Sequence, residues 1–446
     1  MQRAASLERR AGTVSPLLVA AGALVVVVTA LNLWLLIERA HGAFAAAIVV
    51  HALAYVAGIW WVLKRPASRR DLLLILAIAV VLRAIAFPAP QSLTDDAYRY
   101  VWDGRIQWHG FNPFLWVPAA PELKHLRDAA IYPNIYLKEV AVTIYPPVAE
   151  MLFMLANAIS DSIWGLKVVF AVCEVLTVWA LLRWLDADNL PRERVLIYAW
   201  HPLPLWEFIG QAHIDVAAAS FAVLAVLMAV RGRQGVAGGV LAVAALTKYF
   251  PVVLIPALWR RWDWRAPTAF AVVAVVLYLP YAWHAGPRVL GFFGNLMDRE
   301  GYVAGYGFHV VWLLRDFNLA DPPGWLYVAT ALVILAGLAM VAFWRRGREE
   351  IRPEYLVMLA FAFIWLTSPH HVWYFGWVIP LLCRHLSVAA LAMTLLVFVR
   401  YAPPMPPVIT DTNNYLLAFG VPLVIAVAEI VRRQRQPQPH EAGRTA

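Results

Sequence analysis

Long apolar runs separated by short polar stretches occupy most of this 446-residue chain. No run alternates polar and apolar residues with the period of two that a membrane β-barrel requires. The pattern therefore predicts an all-α polytopic membrane protein, a bundle of about 12 to 14 transmembrane helices in one integral-membrane domain over residues 1–446. The candidate spans are residues 16–37, 43–63, 71–88, 163–185, 195–210, 212–230, 235–248, 250–260, 267–285, 324–344, 353–368, 371–384, 386–400 and 414–431.

The composition supports this class and argues against several others. The chain is 62% hydrophobic and 15% charged, whereas soluble proteins carry roughly 25% charged residues. Its net charge of +9 comes from scattered short clusters, which argues against a nucleic-acid partner. Cys173 and Cys383 lie inside apolar runs, so neither a disulfide framework nor a cysteine metal site is expected. The absence of a P-loop or GxGxxG element argues against a nucleotide cofactor.

The basic clusters predict the orientation of the helices. They fall on one side of the membrane only if residues 144–160, entered by Pro146 and Pro147, form an interfacial helix that does not cross. Residues 89–162 then become one long extracytoplasmic loop with amphipathic juxtamembrane helices, and both termini are cytoplasmic. Further outer loops are predicted at 286–323 and 401–413, and a cytoplasmic tail at 432–446. The clusters are residues 64–70, 183–194, 231–234, 259–265, 344–352 and 431–436.

An acidic pair, Asp95 and Asp96, lies at the start of the first loop, just after a predicted span. Ser92 is predicted to N-cap a helix whose third position is Asp95. On that helix Asp96 shares a face with Arg99 and Tyr100. Two readings remain open at this point: first-turn acids with ordinary surface ion pairs, or a general base or metal site beside the bilayer.

Other polar side chains recur at the same predicted end of the helices. Glu207, His213 and Asp215 occupy one outward turn, Lys248 follows at the end of another span, and SPHHVWYFGW (368–377) forms a third turn. Their common side favours one shared site. Glu174 differs because it lies in the middle of a span, where either a functional role or an interhelical hydrogen bond in its neutral form is expected.

Five short motifs carry a resemblance to a known family. The chain resembles the GT-C superfamily of integral-membrane glycosyltransferases, most closely the bacterial mannosyltransferase-like branch around glycosyltransferase family 87. Three candidate spans (16–37, 43–63 and 71–88) precede the first loop, where many GT-C proteins have one. The motifs are TDDAYRYVWDGRIQWHGFNPF (94–114), TIYPPVAE (143–150), GQAHID (210–215), TKYFP (247–251) and SPHHVWYFGW (368–377).

The resemblance implies an inverting transfer of a sugar, mannose by the same resemblance, from a polyprenyl-phosphate donor to a glycolipid or polysaccharide acceptor. It places the protein in the bacterial inner (plasma) membrane, with the active site on the extracytoplasmic side. It implies that Asp96 is the general base, with Asp95 as second choice. Together with the outward turns, it assigns donor phosphate or sugar binding to Arg99, Tyr100, Arg105, His213, Asp215, Lys248, His370, His371 and Tyr374.

General chemistry is compatible with this assignment and leaves one alternative function. A phosphate monoester is a tolerable leaving group, so cationic side chains can replace a metal, and Arg99 is the best-placed cation by spacing. We therefore expect no cofactor, with a divalent ion held by Asp95 and Asp96 as the less favoured reading. The alternative is a membrane transporter or lipid-sugar flippase, although no internal repeat of the kind common in transporters is visible.

Overall fold

The computed structural model of the protein describes residues 14–66, 68–345, 351–403 and 410–435. Every regular element within these ranges is a helix, which confirms the predicted all-α class. Residues 436–446 of the predicted cytoplasmic tail lie outside the described residues. So do residues 346–350 of one basic cluster and residues 404–409 of the loop predicted at 401–413.

The longer helices follow most of the predicted apolar runs to within two residues. For example, α1 reproduces the predicted span 16–37. The longer helices are α1 (Pro16–Ile37), α2 (His41–Lys64), α3 (Arg69–Ala86), α4 (Asp96–Trp108), α5 (Pro147–Ile159), α6 (Ile163–Ala187), α7 (Asp215–Val230), α8 (Gln234–Thr247), α9 (Arg265–Ala285), α10 (Phe293–Arg299), α11 (His309–Asp316), α12 (Gly324–Arg345), α13 (Pro353–Thr367), α14 (Val388–Leu396) and α15 (Val421–Arg435).

Four predicted spans are divided into short helical turns, and prolines explain several of the interruptions. Proline lacks a backbone N–H and clashes with the preceding turn; it occurs at Pro202 and Pro204, at Pro251 and Pro256, and at Pro380. The short turns are Pro121–Leu126, Tyr132–Asn134, Arg192–Val195, Leu196–Ala199, Pro204–Gly210, Phe250–Leu254, Ile255–Leu258, Gly286–Leu290, Val372–Val378, Ile379–Leu382, Val397–Tyr401, Asp411–Tyr415 and Leu416–Gly420.

Among the described residues, six helices are long and apolar enough to cross a membrane, or seven if the bent pair Pro204–Gly210 and Asp215–Val230 forms one span. Several other apolar helices are shorter, and α3 contains Arg69, Arg70, Asp71 and Arg83, which lower its hydropathy. The total of 12 to 14 spans therefore stays a prediction. In α9 and α12 only 6% of the apolar window is buried within the protein, as expected for surfaces that face lipid.

Polar contacts at one end of the bundle join segments that the charge pattern assigned to the same side. The backbone N–H of Ser68 donates to Glu193 at 2.6 Å, and Arg384 pairs with Asp188. Ser387 donates to Glu429 at 2.9 Å. The outward turns named above lie at the opposite ends of these helices, so the fold separates a basic end from the end that carries the candidate chemistry.

The first loop is an ordered part of the fold. Its two helices, α4 and α5, approach each other closely at Gly104, where an added Cβ would lie 2.4 Å from the Phe153 carbonyl oxygen. Tyr100 stacks on Phe153 with ring centroids 4.5 Å apart and contacts Tyr145 edge-on at 5.0 Å. These contacts fix the face of α4 that carries the acidic pair.

Candidate active site

The start of the acidic motif is tied to the GQAHID turn. The side-chain amide of Gln211 donates to the carbonyl oxygen of Pro90 at 3.0 Å, and its oxygen accepts from the N–H groups of Ser92 and Leu93 at 3.2 and 3.1 Å. Gln91 donates in return to the Gly210 carbonyl oxygen at 3.2 Å. These hydrogen bonds hold residues 90–93 against the GQAHID turn, and they thereby position Asp95 and Asp96 beside the bundle.

The predicted N-cap at Ser92 is wrong, because Gln211 binds the Ser92 backbone and the helix begins later. The helix starts at Asp96 with Asp95 as its N-cap residue, and the Asp96 N–H donates to the Thr94 hydroxyl at 3.2 Å. The two carboxyl groups consequently have different surroundings. Asp95 is exposed at the surface. The Asp96 side chain is 29% exposed and faces the interior of the bundle, toward His213.

Asp96 meets residues from several other segments. Its Oδ2 lies 3.4 Å from the Tyr100 hydroxyl and 3.8 Å from Nδ1 of His213. Burial raises the pKa of Asp96, and the positive charges of His371 and Lys248 oppose this rise. Burial also raises the pKa of Asp95, against a smaller opposing effect of its own backbone N–H. Asp96 is therefore a carboxyl group of increased basicity with nearby cations.

A break in the helical backbone places His213 beside Asp96. The segments Pro204–Gly210 and α7 meet at 117°, and Ala212 between them has a positive φ of 56°. The His213 N–H donates to the Glu207 carbonyl oxygen at 3.0 Å, and Nε2 of His213 lies 3.5 Å from Oε2 of Glu207. The side chains of Glu207 and His213 are both fully buried.

Lys248 and Asp215 form a buried ion pair within the same cluster. Nζ of Lys248 lies 2.7 Å from Oδ2 of Asp215, with the Asp215 side chain fully buried and that of Lys248 10% exposed. The same Nζ lies 4.3 Å from the ring centroid of Tyr374. Lys248 ends α8 in an extended conformation, and its side chain therefore brings one positive charge close to the surface of the cluster.

The SPHHVWYFGW turn supplies a stack of three rings. Trp373 lies between His213 and His371, with ring centroids 3.9 and 4.5 Å apart and interplanar angles of 17° and 9°. Nε2 of His371 lies 3.6 Å from Oε1 of Glu300 in the second predicted outer loop. His371 is the more exposed end of this stack, with 44% of its side chain accessible.

His370 connects the same turn to the second outer loop. Its Nε2 lies 2.7 Å from the Gly307 carbonyl oxygen, and its ring stacks on Tyr302 at 5.0 Å. Burial lowers the pKa of His370, which the hydrogen bond to Gly307 and the charge of Glu300 partly offset. His370 therefore anchors the loop, whereas its neighbour His371 faces the cluster.

The two predicted arginines lie in other contacts. Nε of Arg99 is 2.8 Å from both carboxylate oxygens of Asp103, and its Nη1 donates to the Ala141 carbonyl oxygen. Arg105 pairs with Asp128 at 2.6 Å and with Asp161 at 2.9 Å. The sequence placed Arg99 on the same helix face as Asp96, three residues before it. In the structure Arg99 pairs instead with Asp103, four residues after it.

A second buried polar network lies beneath α4. The Thr143 hydroxyl donates to Oε1 of Glu150 at 2.6 Å, and the Gln107 amide donates to Oε2 at 3.0 Å. Tyr281 of α9 donates to Gln107 at 2.8 Å. These bonds attach the TIYPPVAE motif to the first loop and to the bundle, which is a structural role.

Glu174 in the middle of α6 forms an interhelical ion pair. Its Oε2 accepts from Arg83 at 3.0 Å and its Oε1 accepts from the Tyr198 hydroxyl at 2.7 Å. Arg83 also donates to the Ala199 carbonyl oxygen. Of the two sequence readings, the structure therefore favours an interhelical contact, with an arginine partner that the spans did not reveal.

An open cavity of about 810 Å³ borders the exposed side of the acidic pair. Its walls combine charges of both signs with two tyrosines, and Gln91 Oε1 and Ser92 Oγ on this wall have no hydrogen-bond partner among the described residues. The lining residues are Arg39, Gln91, Ser92, Leu93, Thr94, Asp95, Tyr98, Pro133, Asn134, Ile135, Tyr136, Leu137, Lys138 and Glu139.

The structure thus brings together most of the predicted site residues from separate segments: Asp96, Tyr100, His213, Asp215, Lys248, His371 and Tyr374. The sequence patterns placed Glu207 on the shared side without assigning it a role, and they assigned no role to Trp373, Tyr401 or Glu300. Glu207 and Trp373 lay within recognised turns, but nothing in a single sequence indicated that Tyr401 donates to Glu207 at 2.8 Å. Within the described residues, no group of three or more His, Cys, Asp or Glu side chains could hold a metal ion.

Comparison with known proteins assigns a family to the chain. The sequence model of glycosyltransferase family 87 matches residues 143–369, slightly more than half of the chain. No curated protein and no solved structure matches the chain. The matched region contains TIYPPVAE, GQAHID and TKYFP, and thus Glu207, His213, Asp215 and Lys248. Because this family model matches more than half of the chain, the protein belongs to glycosyltransferase family 87.

Proposed function

We propose that this glycosyltransferase moves a sugar, mannose by family resemblance, from a polyprenyl-phosphate donor to a glycolipid or polysaccharide acceptor, with inversion at the anomeric carbon. The observation that carries the proposal is the setting of Asp96. A partly exposed carboxyl group lies where three other chain segments converge, and two of them contribute the cationic groups Lys248 and His371.

In the proposed step Asp96 is the general base. The acceptor oxygen forms a bond to the anomeric carbon, the bond from that carbon to the phosphate oxygen breaks, and the hydroxyl proton passes to the Asp96 carboxylate. A hydroxyl group is a weak nucleophile and needs a base within hydrogen-bond reach. Because burial raises the pKa of Asp96, its carboxylate accepts a proton more readily than an exposed aspartate.

Lys248 and His371 are the groups we assign to the donor phosphate. Each approaches the cluster from a different turn, and each acts electrostatically on Asp96. Negative charge develops on the phosphate as the bond breaks, so cations fixed nearby stabilise the transition state. Asp215 positions Lys248, and Tyr374 packs beneath its ammonium group. In this proposal Arg99 and Arg105 maintain the scaffold.

Inversion follows if one carboxylate acts and no second one attacks the sugar. Asp103 and Glu150 are fully buried and hydrogen-bonded to Arg99, Thr143 and Gln107. Asp95 faces the open cavity rather than the cluster. A single displacement with Asp96 as base is therefore the simplest chemistry that these carboxyl groups support, and it needs no metal ion.

The open cavity beside Asp95 is our candidate for the acceptor. Its polar walls suit a hydroxyl-rich glycan, and its volume is in the range of about 300 to 1,000 Å³ typical of small-ligand sites. We further propose that the protein resides in a bacterial plasma membrane with both termini cytoplasmic. The separation of the basic end from the end that carries Asp96 supports an extracytoplasmic active site.

The test uses purified full-length protein in lipid nanodiscs. It is given radiolabelled polyprenyl-phosphate mannose and the octyl glycosides of mannose, glucose and galactose as acceptors. We expect transfer by the wild type, a loss of about 100-fold or more in Asp96→Asn, and near-normal transfer in the control Asp298→Asn, whose side chain is exposed on the second outer loop. Full transfer by Asp96→Asn would refute the base assignment. Donor flux across vesicles without any transfer would instead support the transporter reading.

A further inference from the structure

We propose that Tyr401, Glu207 and His213 form a hydrogen-bond chain in which each group donates a proton to the next, and that this chain orients Asp96. In this chain Glu207 is neutral and donates to Nε2 of His213, and the His213 proton resides on Nδ1 and points at Asp96. His213 and Glu207 are positioning residues in this inference, which rests on the proposed role of Asp96 as the base.

The polar atoms of these groups follow one another from Tyr401 to Asp96. The Tyr401 hydroxyl donates to Oε1 of Glu207 at 2.8 Å. Oε2 of Glu207 lies 3.5 Å from Nε2 of His213, and Nδ1 of His213 lies 3.8 Å from Oδ2 of Asp96. Glu207 Oε2 and both ring nitrogens of His213 are buried without a hydrogen-bond partner in the described part of the chain. Catalytic hydrogen bonds are often long before substrate binds and shorten in the complex.

Burial determines the direction of the chain. Glu207 and His213 are fully buried, and a buried charge is costly unless a charge of opposite sign pairs with it. The nearest fixed cation, Lys248, is already paired with Asp215 at 2.7 Å. A neutral Glu207 avoids this cost, and its O–H can be directed only to Nε2 of His213. His213 must then carry its proton on Nδ1, opposite Asp96.

The other groups that face this chain agree with a neutral imidazole. Lys248 and His371 bring positive charge from two other segments and disfavour a protonated His213. Trp373 covers the ring of His213 at 3.9 Å. Among the described residues, the further acids near the cluster are Asp215, whose Oδ2 accepts from Lys248, and Glu300, which lies beside His371. Tyr100 and Tyr145 face Asp96 from the opposite side.

The consequence is a base with one free oxygen. Both neighbours of Asp96 approach the same atom, because the Tyr100 hydroxyl and Nδ1 of His213 both face Oδ2. Oδ1 remains available for the acceptor hydroxyl. A donor at Oδ2 fixes the orientation of the carboxylate and lowers its pKa, which keeps Asp96 ionised against the opposite effect of burial.

The first experiment compares variants at Glu207 in nanodiscs with a polyprenyl-phosphate mannose donor and an octyl mannoside acceptor. Glu207→Gln keeps a donor to Nε2 and an acceptor for Tyr401, so we expect kcat within about twofold of wild type. Glu207→Ala and His213→Leu lower kcat by about 10- to 100-fold, the equivalent of one hydrogen bond to a charged group, with donor KM unchanged. His213→Asn retains an N–H toward Asp96 and recovers part of this loss.

The acid limb of the pH–rate profile separates positioning from a merely structural role. Loss of the donor to Oδ2 raises the pKa of Asp96, so the limb of Glu207→Ala moves to higher pH by about one unit, whereas that of Glu207→Gln stays in place. A Glu207→Gln variant as inactive as Glu207→Ala, or an unshifted limb in Glu207→Ala, would overturn the proposal.

A second measurement does not depend on activity. Solid-state NMR of protein labelled with 15N-histidine, with His213→Asn as the difference standard, reports the tautomer of His213. We expect a neutral ring protonated on Nδ1; a proton on Nε2 or a charged ring contradicts the chain. If the wild type transfers no sugar, the proposed function fails, and the tautomer still decides whether the chain exists.

Discussion

Lys248 lends itself to a quantitative test, because its ion pair with Asp215 and its proposed contact to the donor phosphate can be separated. Replacing it by methionine leaves Asp215 as a fully buried carboxylate without its ion-pair partner at 2.7 Å. Breaking a buried ion pair in this way costs about 3 to 5 kcal/mol of stability. The same substitution removes a charged contact to the donor phosphate, worth about 1.5 to 3 kcal/mol, or roughly 10- to 150-fold in affinity.

A double variant distinguishes these two effects. In Asp215→Asn/Lys248→Met both charges are absent, so the amide and the thioether fill the site without an unpaired buried charge. We expect Lys248→Met to lower the melting temperature in nanodiscs, and the double variant to recover most of that loss. Donor affinity should stay weak in both variants, because neither has the ammonium group.

The measurements are thermal unfolding followed by intrinsic fluorescence and equilibrium binding of polyprenyl-phosphate mannose. Asp215→Asn alone is the control, because it keeps the cation and releases it from its partner. Recovery of donor affinity in the double variant would refute the assignment of Lys248 to the phosphate. An unchanged melting temperature in Lys248→Met would refute the stabilising role of the pair.

Three further outcomes are expected. Burial raises the pKa of Asp96, so activity is present above this raised pKa and is lost as the pH falls through it. A kcat–pH profile whose acid midpoint lies at or below 3.8, the ordinary pKa of an aspartate, would contradict this expectation. Glu174→Leu leaves Arg83 unpaired and lowers the stability by about 3 kcal/mol, with donor KM unchanged in kinetic assays. Modification of Glu139→Cys with a bulky maleimide raises the acceptor KM and leaves donor binding unchanged. The same modification of Glu122→Cys, which is exposed on the same loop, leaves both the acceptor KM and donor binding unchanged. The native cysteines are buried and do not react.

The sequence predicted the fold class and the convergence of the outward turns because both depend on local patterns. Apolar length identifies helices, and polar residues at one end of several helices must meet when those helices pack. His213, Lys248 and His371 were found in this way. The interruption of the span predicted at 195–210 also has a local signal, Pro202 and Pro204, although the apolar pattern alone predicts one helix.

The partners of individual charges depend on tertiary packing, which one sequence does not contain. Arg99 is within helical reach of both Asp96, three residues before it, and Asp103, four residues after it. In the structure it pairs with Asp103 and donates to the Ala141 carbonyl oxygen, a contact that no spacing rule contains. Tyr401 lies almost two hundred residues from Glu207, so no spacing rule connects them. Ser92 had the correct residue type for a cap, but Gln211 competes for its backbone.

The hydrogen bonds from Gln211 to residues 90–93 have a consequence for how such an enzyme can diversify. They attach the start of α4, and with it the proposed base Asp96, to the GQAHID turn of the bundle, in addition to the contacts that α4 makes within the loop. The surface segment from Pro121 to Glu139 forms part of the cavity wall and contacts α4 at Trp102 and Arg105 rather than at Asp96. In the proposed function, substitutions on the cavity side of this segment change acceptor preference while Asp96 keeps its position.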